Sequence, residues 1–450
     1  MGKLFGTDGI RGIVNDDLTA SLAFKIGASV SKVLKQELKK DNLTFLVGTD
    51  TRISKDMFTA SIISGVLSEN CNIIDLGIMP TPAISYLTKE LKKDGAFIIS
   101  ASHNPSKYNG IKVLDQNGYK LTEQMEEKIE RQIINFEENN QINKCGKILK
   151  TKDSIELYIK HLLKTIDIND ELKNKKILID TANGASYKTA EQLFKKININ
   201  YDIINNHPDG LNINENAGST HIQNLQKLVK ENNYDLGIAY DGDADRCIMV
   251  DEDGEEVDGD YIIAICGNHL KKQNKLTNNT LTGTVMSNLG LVKFCKEQNI
   301  NFSKTKVGDK YVLEEMLKNN YPLGGEQSGH IIFKEYANTG DGELTSLQVL
   351  NVMAKENKSL KELKNIMKKY PQVTINVETT KQGKDQLNTN KNIQNKISEL
   401  NQILNEDGRV LVRPSGTENL IRVMIEGKDK NQITQQCEEL ANYINQQLNN

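Results

Sequence analysis

The chain is 450 residues long and carries 57 Lys and Arg against 60 Asp and Glu, a formal net charge of −3. A hydrophobic share of 37% and a charged share of 26% fit a soluble globular chain. At about 150 residues per domain the length predicts three domains, each able to bury a core. The balanced charge excludes a chain built to neutralise a nucleic-acid backbone, though it leaves room for a local basic pocket that holds one small anion.

In chain order, the first feature is Phe5-Gly-Thr-Asp-Gly-Ile-Arg-Gly12, a glycine-lined loop with Arg11 as a candidate anion contact. Its spacing is not the dinucleotide G-x-G-x-x-G, and no Walker A segment occurs anywhere, which argues against a nucleotide-driven kinase. Short apolar runs then alternate with amphipathic stretches, the pattern of an α/β chain. Three runs share one design. Thr44–Gly48 leads into Thr49-Asp-Thr-Arg52, Ile177–Asp180 into Thr181-Ala-Asn-Gly184, and Thr280–Gly283 into Thr284-Val-Met-Ser-Asn288. Each is followed by a predicted helix; in the second, Tyr187, Ala190, Leu193 and Phe194 fall at helical spacing. Three related α/β units are therefore expected.

Between them lie the segments that can do chemistry. Ile98-Ile-Ser-Ala-Ser-His-Asn-Pro-Ser106 is an apolar strand ending in a tight polar turn. Ser102 sits nearest the apex, beside His103; a serine needs activation to act as a nucleophile. Read alone, the stretch fits an ordinary strand-to-loop turn equally well. Tyr240-Asp-Gly-Asp-Ala-Asp-Arg-Cys247 places three carboxylates at alternate positions. Oxygen-rich clusters suit Mg²⁺ or Ca²⁺. An EF-hand is excluded, because Arg246 stands where that loop requires glycine and both flanks read as strands. Close carboxylates on a buried edge repel one another unless a cation joins them. In Leu323-Gly-Gly-Glu-Gln-Ser-Gly-His330, glycines permit close backbone approach. Glu326 and Ser328 could hydrogen-bond vicinal sugar hydroxyls, and His330 reads as ligand-facing or structural.

The tail changes character. Val373–Val377, Arg409–Val412 and Leu420–Ile425 read as strands, and a last helix aligns Ile433, Cys437, Leu440, Ala441 and Ile444. This is a separate α+β domain. The Asn/Gln/Lys-rich stretch 380–405 reads as solvated helix and loop, and the polar stretches near 138–155, 250–258 and 355–372 are candidate boundaries. Between two tail strands, Val412-Arg-Pro-Ser-Gly-Thr-Glu-Asn419 with Arg422 brings two arginines and two hydroxyls around a glycine, a candidate phosphate site.

Together these segments describe one logic: a serine that carries a phosphoryl group, a hard cation, a loop that reads hydroxyls and a basic loop for a second phosphate. That is phosphoryl transfer on a phosphosugar. Six cysteines, at 71, 145, 247, 266, 295 and 437, form no C-x-x-C pair, so scattered reduced thiols in a cytoplasmic protein are expected. No apolar run approaches the ~18 residues of a membrane span, and the first residues lack a signal-peptide core.

The motifs resemble the α-D-phosphohexomutase superfamily, and within it the bacterial phosphoglucosamine mutase family, over nearly the whole chain. The superfamily marks are Ser100-Ala-Ser-His-Asn-Pro105 and Asp241-Gly-Asp-Ala-Asp-Arg246; the subfamily marks are Gly325-Glu-Gln-Ser-Gly-His330, Asp209–Asn214 with Gly218–His221, and Gly283–Gly290. The resemblance implies a four-domain architecture, three related α/β domains plus a C-terminal α+β domain, with the active site in a central cleft. The domains would span 1–153, 154–254, 255–370 and 371–450. It implies phospho-Ser102, with one Mg²⁺ held by Asp241, Asp243, Asp245 and the phosphoryl group on Ser102. Arg11, Lys112, His103 and His330 would serve catalysis, with Lys112 as the candidate proton carrier. Glu326, Ser328 and Arg246 would bind sugar, and Arg413, Ser415, Gly416, Thr417 and Arg422 the other phosphate. The implied reaction interconverts glucosamine 6-phosphate and glucosamine 1-phosphate through glucosamine 1,6-bisphosphate, feeding UDP-N-acetylglucosamine and cell-wall precursor synthesis. The implied partners are a phosphosugar and an activating kinase, with no nucleic acid or membrane, in a monomer or homodimer. The alternatives are a phosphoglucomutase or phosphomannomutase of the same superfamily, or a catalytically silent phosphosugar-binding protein. Asn419 and Lys310 depart from the family pattern, where Pro and Arg are usual.

Overall fold

The computed structural model describes residues 4–6, 8–138, 144–167, 170–415 and 419–449. The described residues form four sheets. The first contains β1 (Ile10–Ile13), β2 (Thr44–Thr49), β3 (Asn72–Ile78), β4 (Gly95–Ile99), β5 (Tyr108–Asp115) and β6 (Ile148–Leu149), in the order β1-β5-β4-β2-β3-β6. The second contains β7 (Lys176–Asp180), β8 (Asn200–Ile204), β9 (Leu236–Tyr240), β10 (Cys247–Asp251) and β11 (Glu256–Val257), in the order β11-β10-β9-β7-β8. The third runs β13-β12-β14-β15, from β12 (Thr280–Thr284), β13 (Asn301–Thr305), β14 (Leu323–Gly325) and β15 (Ile331–Phe333).

The expected repeat is visible in strand order. Each of these sheets has a parallel trio, β3-β2-β4, β8-β7-β9 and β13-β12-β14, closed by an antiparallel fourth strand, β5, β10 or β15. Strands that are covered on both faces need unbroken apolar sequence. Gly-Ala-Phe-Ile-Ile in β4 and Leu-Gly-Ile-Ala-Tyr in β9 meet that need, and every residue of both is buried. Over the first sheet, helices 20–38 and 55–68 pack backbone to backbone. A Cβ on Gly65 would lie 2.2 Å from the Phe24 carbonyl oxygen, and one on Gly27 2.6 Å from that of Ile62. Only glycine permits that approach.

The stretch 250–258 is the hairpin that adds β11 to the second sheet, so that sheet continues to Val257. The fourth sheet, β16-β18-β17, is wholly antiparallel, from β16 (Gln372–Glu378), β17 (Gly408–Pro414) and β18 (Leu420–Gly427). The final helix, Lys430–Asn449, covers it with Ile433, Cys437, Leu440, Ala441 and Ile444. Within the polar stretch 380–405, helix Lys391–Leu404 is amphipathic and buries Ile393, Leu400 and Leu404.

The chain divides into two compact units, 1–286 with 300–366, and 287–299 with 367–450. Helix Leu289–Glu297, which follows β12 in sequence, therefore belongs with the tail sheet. Asn288 exchanges hydrogen bonds with the Tyr370 backbone, and the Leu289 N–H donates to the buried Glu426 carboxylate at 3.0 Å. No helix among the described residues is long and apolar enough to cross a membrane.

Candidate active site

All four chemistry-bearing segments are the same kind of loop: the connection into the last antiparallel strand. Residues 100–107 join β4 to β5, 241–246 join β9 to β10, 326–330 join β14 to β15, and 415–419 join β17 to β18. The first three lie in one compact unit.

Ser102 is 2% exposed and has φ +50°, the left-handed region that non-glycine residues seldom adopt. Its Oγ donates to Asp241 Oδ2 at 2.6 Å and lies 3.4 Å from His103 Nδ1. Burial, then the charges of Arg246 and Arg11, push His103 down to about 4, so it is neutral near pH 7. Gly242 admits the serine loop: a Cβ there would lie 2.6 Å from the Ser102 carbonyl oxygen.

Asp241, Asp243 and Asp245 are buried, with ligand atoms all within 4.8 Å of one another. Burial raises the carboxyl pKa of Asp241 well above the usual range, and the neighbouring carboxylates add to it; Asp245 is raised for the same reasons. Asp243 goes the other way. Burial would raise it, but Lys112 and the Thr81 hydroxyl hold it well below the usual range. Thr81 Oγ1 donates to Asp243 Oδ2 at 2.7 Å and Lys112 Nζ to the same oxygen at 3.1 Å. Oδ1 of Asp243 and Oδ1 of Asp245 are buried without a hydrogen bond. Three converging carboxylates with orphaned oxygens fit a hard divalent cation, which removes their repulsion and uses the free lone pairs.

Lys112 is 2% exposed and stands 3.0 Å from Asp8 as well. Burial would lower its pKa, but Asp243, Asp8 and Asp245 reverse the sign and raise it above an ordinary lysine. It is an ammonium at every physiological pH. From Asp8 the charges continue: Arg11 and Lys120 both pair with Asp8, and Lys120 also pairs with Asp309. Asp309 Oδ2 lies 3.7 Å from His330 Nε2, which is itself 3.9 Å from Asp245 Oδ2. Arg11, Lys112 and His330 thus come together around the acidic triad. Arg246 Nε is 4.0 Å from Asp241 and 3.8 Å from Asp245.

In the third loop Glu326 is half-buried and Ser328 exposed. Glu326 Oε1 accepts from the Gly308 N–H at 3.0 Å, and Gln327 Nε2 donates to Asp258 Oδ2 at 3.2 Å. Lys310 extends to Glu123 at 2.9 Å, a single-point contact that a lysine satisfies.

In the second unit, Arg413 and Arg422 are directly opposite each other across β17 and β18. Burial, then the Arg422 charge, lowers the Arg413 pKa. Two facing guanidiniums are unfavourable by themselves and become favourable around an anion. Ser415 is buried at the head of this loop, with its N–H donating to the Leu420 carbonyl at 2.8 Å. Gly416 and Thr417 lie outside the described residues.

Sequence reading missed the supports: Asp50, Arg52, Thr81, Asn214, Asp8, Lys120 and Asp309. Thr49-Asp-Thr-Arg52 stood out as a loop after a strand, but nothing local says that Arg52 is fully buried.

Four family descriptions match the chain: phosphoglucomutase/phosphomannomutase α/β/α domain I over residues 2–140, domain II over 156–254, domain III over 258–370, and the C-terminal domain over 350–443. Phosphoglucosamine mutase of Acetivibrio thermocellus is 49% identical over 451 residues, covering 100% of both chains, and that of Clostridium novyi is 48% identical over 452 residues, again covering 100% of both. The chain belongs to the phosphoglucosamine mutase family. Its fold recurs in a phosphoglucomutase/phosphomannomutase family protein of Burkholderia thailandensis, with TM-score 0.82 at 20% identity, covering 98% of this chain and 96% of that one. It recurs too in Aspergillus fumigatus N-acetylphosphoglucosamine mutase, solved in complex with GlcNAc-6P and magnesium, with TM-score 0.69 at 16% identity, covering 98% and 95%. The four-domain α/β architecture of this family is thus present here, with four sheets where length alone suggested three domains.

Proposed function

We propose that this chain interconverts glucosamine 6-phosphate and glucosamine 1-phosphate, with Ser102 as the phosphoryl carrier. The observation that carries the reading is the Ser102 hydroxyl, held 2.6 Å from a buried three-aspartate cluster, in a chain whose relatives at 49% and 48% identity are named phosphoglucosamine mutase.

In the forward direction the P–Oγ bond of phospho-Ser102 breaks as a P–O bond forms to the sugar O1. The O1 hydroxyl gives up one proton, and Ser102 Oγ regains one. Glucosamine 1,6-bisphosphate then presents its other phosphate, and the reverse exchange at O6 restores phospho-Ser102. Asp241, Asp243 and Asp245 would hold one Mg²⁺, which neutralises charge on the transferring group. Lys112 and Arg11 add fixed positive charge. Because Lys112 is already an ammonium, it serves as a donor and counter-charge, and it can act as a base only after passing its proton on. Glu326 and Ser328 would read sugar hydroxyls, and Arg413, Ser415 and Arg422 the phosphate that is not in transfer. A phosphoserine activated for transfer escapes hydrolysis only where water is excluded, which the burial of Ser102 favours. A cytoplasmic location, supply of UDP-N-acetylglucosamine synthesis and the working boundaries 1–153, 154–254, 255–370 and 371–450 belong to the same reading.

The test is kcat/KM on glucosamine, glucose and mannose phosphates, beside intact mass of the purified chain. Preference for glucosamine phosphate and a phosphoryl adduct mapped to Ser102 support the reading. Equal or better turnover of glucose or mannose phosphate reassigns the sugar. Normal turnover by Ser102→Ala with the bisphosphate present overturns the mechanism.

A further inference from the structure

Arg52 is the largest of the fully buried side chains, with 0% exposure. A guanidinium has five N–H donors in a fixed plane, and here each has an acceptor. Nε donates to Asp50 Oδ2 at 2.9 Å. One terminal nitrogen donates to the carbonyls of Pro105 and Tyr108, at 2.5 and 3.0 Å. The other donates to the carbonyls of Ser102 and Asn104, at 3.0 and 2.7 Å. Four carbonyls of the seven-residue stretch 102–108, the serine loop and the first residue of β5, therefore converge on a single side chain about fifty residues earlier in the chain.

The same cluster also reaches the Ser102 N–H. That group donates to Ser100 Oγ at 2.9 Å, and Ser100 Oγ donates to Asp50 Oδ2 at 2.6 Å. The peptide groups on both sides of the Ser102 Cα are thus fixed through Arg52 and Asp50. Asn214, in the segment that follows β8, adds a second donor to the Ser102 carbonyl at 2.9 Å. This framework keeps a serine at φ +50° and leaves its Oγ aimed at Asp241. Left-handed serine persists only where its surroundings over-determine it.

We propose that Arg52 is a positioning residue for phosphoryl transfer: its guanidinium fixes the serine loop so that the phosphoryl group on Ser102 meets the sugar hydroxyl rather than water. A lysine has the charge but not the planar fork, so it can serve at most a few of the five acceptors. The misplacement it allows need only approach an ångström to cost about 100-fold in rate.

The proposal rests on the phosphoserine reading above. Arg52→Lys and Ser100→Ala are compared with wild type for mutase turnover per mole of phosphoserine and for inorganic phosphate lost per turnover. The second ratio is read within active molecules, so a smaller folded fraction does not move it. We expect kcat per phosphoserine to fall about 100-fold for Arg52→Lys and about 10-fold for Ser100→Ala, with KM within about threefold of wild type and the loss to water raised in both. If Arg52→Lys does not fold, Ser100→Ala decides, since it removes only the link from Asp50 to the Ser102 N–H. Unchanged phosphate loss in the variants that fold overturns the proposal, even where kcat falls. Should wild type show no turnover on glucosamine phosphates, the proposed function fails. The lifetime of phospho-Ser102 without sugar then tests the clamp separately: it is expected to shorten in both variants, and equal lifetimes overturn it.

Discussion

Gly242→Ala tests how closely the serine loop must approach the metal loop. The added Cβ would stand 2.6 Å from the Ser102 carbonyl oxygen, 2.7 Å from Asn214 Nδ2 and 2.9 Å from Ile213 Cδ1. The first two cannot yield freely. The carbonyl accepts from both Arg52 and Asn214, and the Asn214 amide is itself one of those donors. Relief requires the two loops to part by roughly 0.8 Å, which restores ordinary contact at about 3.4 Å. Overpacking of this kind costs about 1–3 kcal/mol. Because Ser102 Oγ reaches Asp241 at 2.6 Å only with the loops in register, the same shift should cut kcat by about 10- to 100-fold. The assay is steady-state turnover with activator present, normalised to phosphoserine content and paired with a urea melt. Wild-type kcat together with an unchanged unfolding midpoint would refute this view of the loop contact.

Three other outcomes follow from the charges. Glu343 is fully buried, and burial, with Asp341 beside it, pushes its carboxyl up to about 8. Between its ordinary 4.5 and about 8 the unfolded chain releases a proton that the fold keeps, so the stability present at low pH is lost as pH rises through that window. Glu343→Gln, trimmed by the cost of burying an amide, should stabilise at pH 8 by about 1–3 kcal/mol and have little effect at pH 4; equal effects at both pH values contradict it. Arg413→Ala should raise KM about 10- to 100-fold, the worth of one charged hydrogen bond to phosphate, with a smaller change in kcat; an unchanged KM removes Arg413 from the phosphate site. Lys112→Met should lower kcat by about 10²–10³, and near-normal turnover would show that its charge is not used.

The three candidate loops stood out because each is an apolar strand that ends abruptly in polar residues, a local signal that gains meaning only when the loops are read together. The acidic triad was especially clear, since alternate carboxylates between apolar strands repel one another unless a cation joins them. The supports were illegible for the opposite reason. Arg52 meets its carbonyls about fifty residues on, and Lys120 meets Asp309 across 189 positions; no spacing rule spans such gaps. Helix Leu289–Glu297 misleads in another way. It has the position of the first helix of a repeat, yet Asn288, Leu289 and Glu426 tie it to the tail sheet. The polar stretch 380–405 read as solvated helix and loop; the buried side of its helix Lys391–Leu404 escaped notice because Ile393, Leu400 and Leu404 are sparse among Asn, Gln and Lys. Domain number escaped simple division by length because the units are shorter than average, and the strand order, repeated three times and then replaced by an antiparallel sheet, is what counts them.

The central claim is that Ser102 passes its own phosphoryl group to the sugar. A single-turnover experiment with labelled phosphoserine enzyme and unlabelled glucosamine 6-phosphate tests it directly. The expected result is that label leaves Ser102 and appears first in the bisphosphate, then in glucosamine 1-phosphate, with the enzyme regaining unlabelled phosphate. Label that stays on Ser102 while sugar turns over, or leaves only as inorganic phosphate, would contradict it.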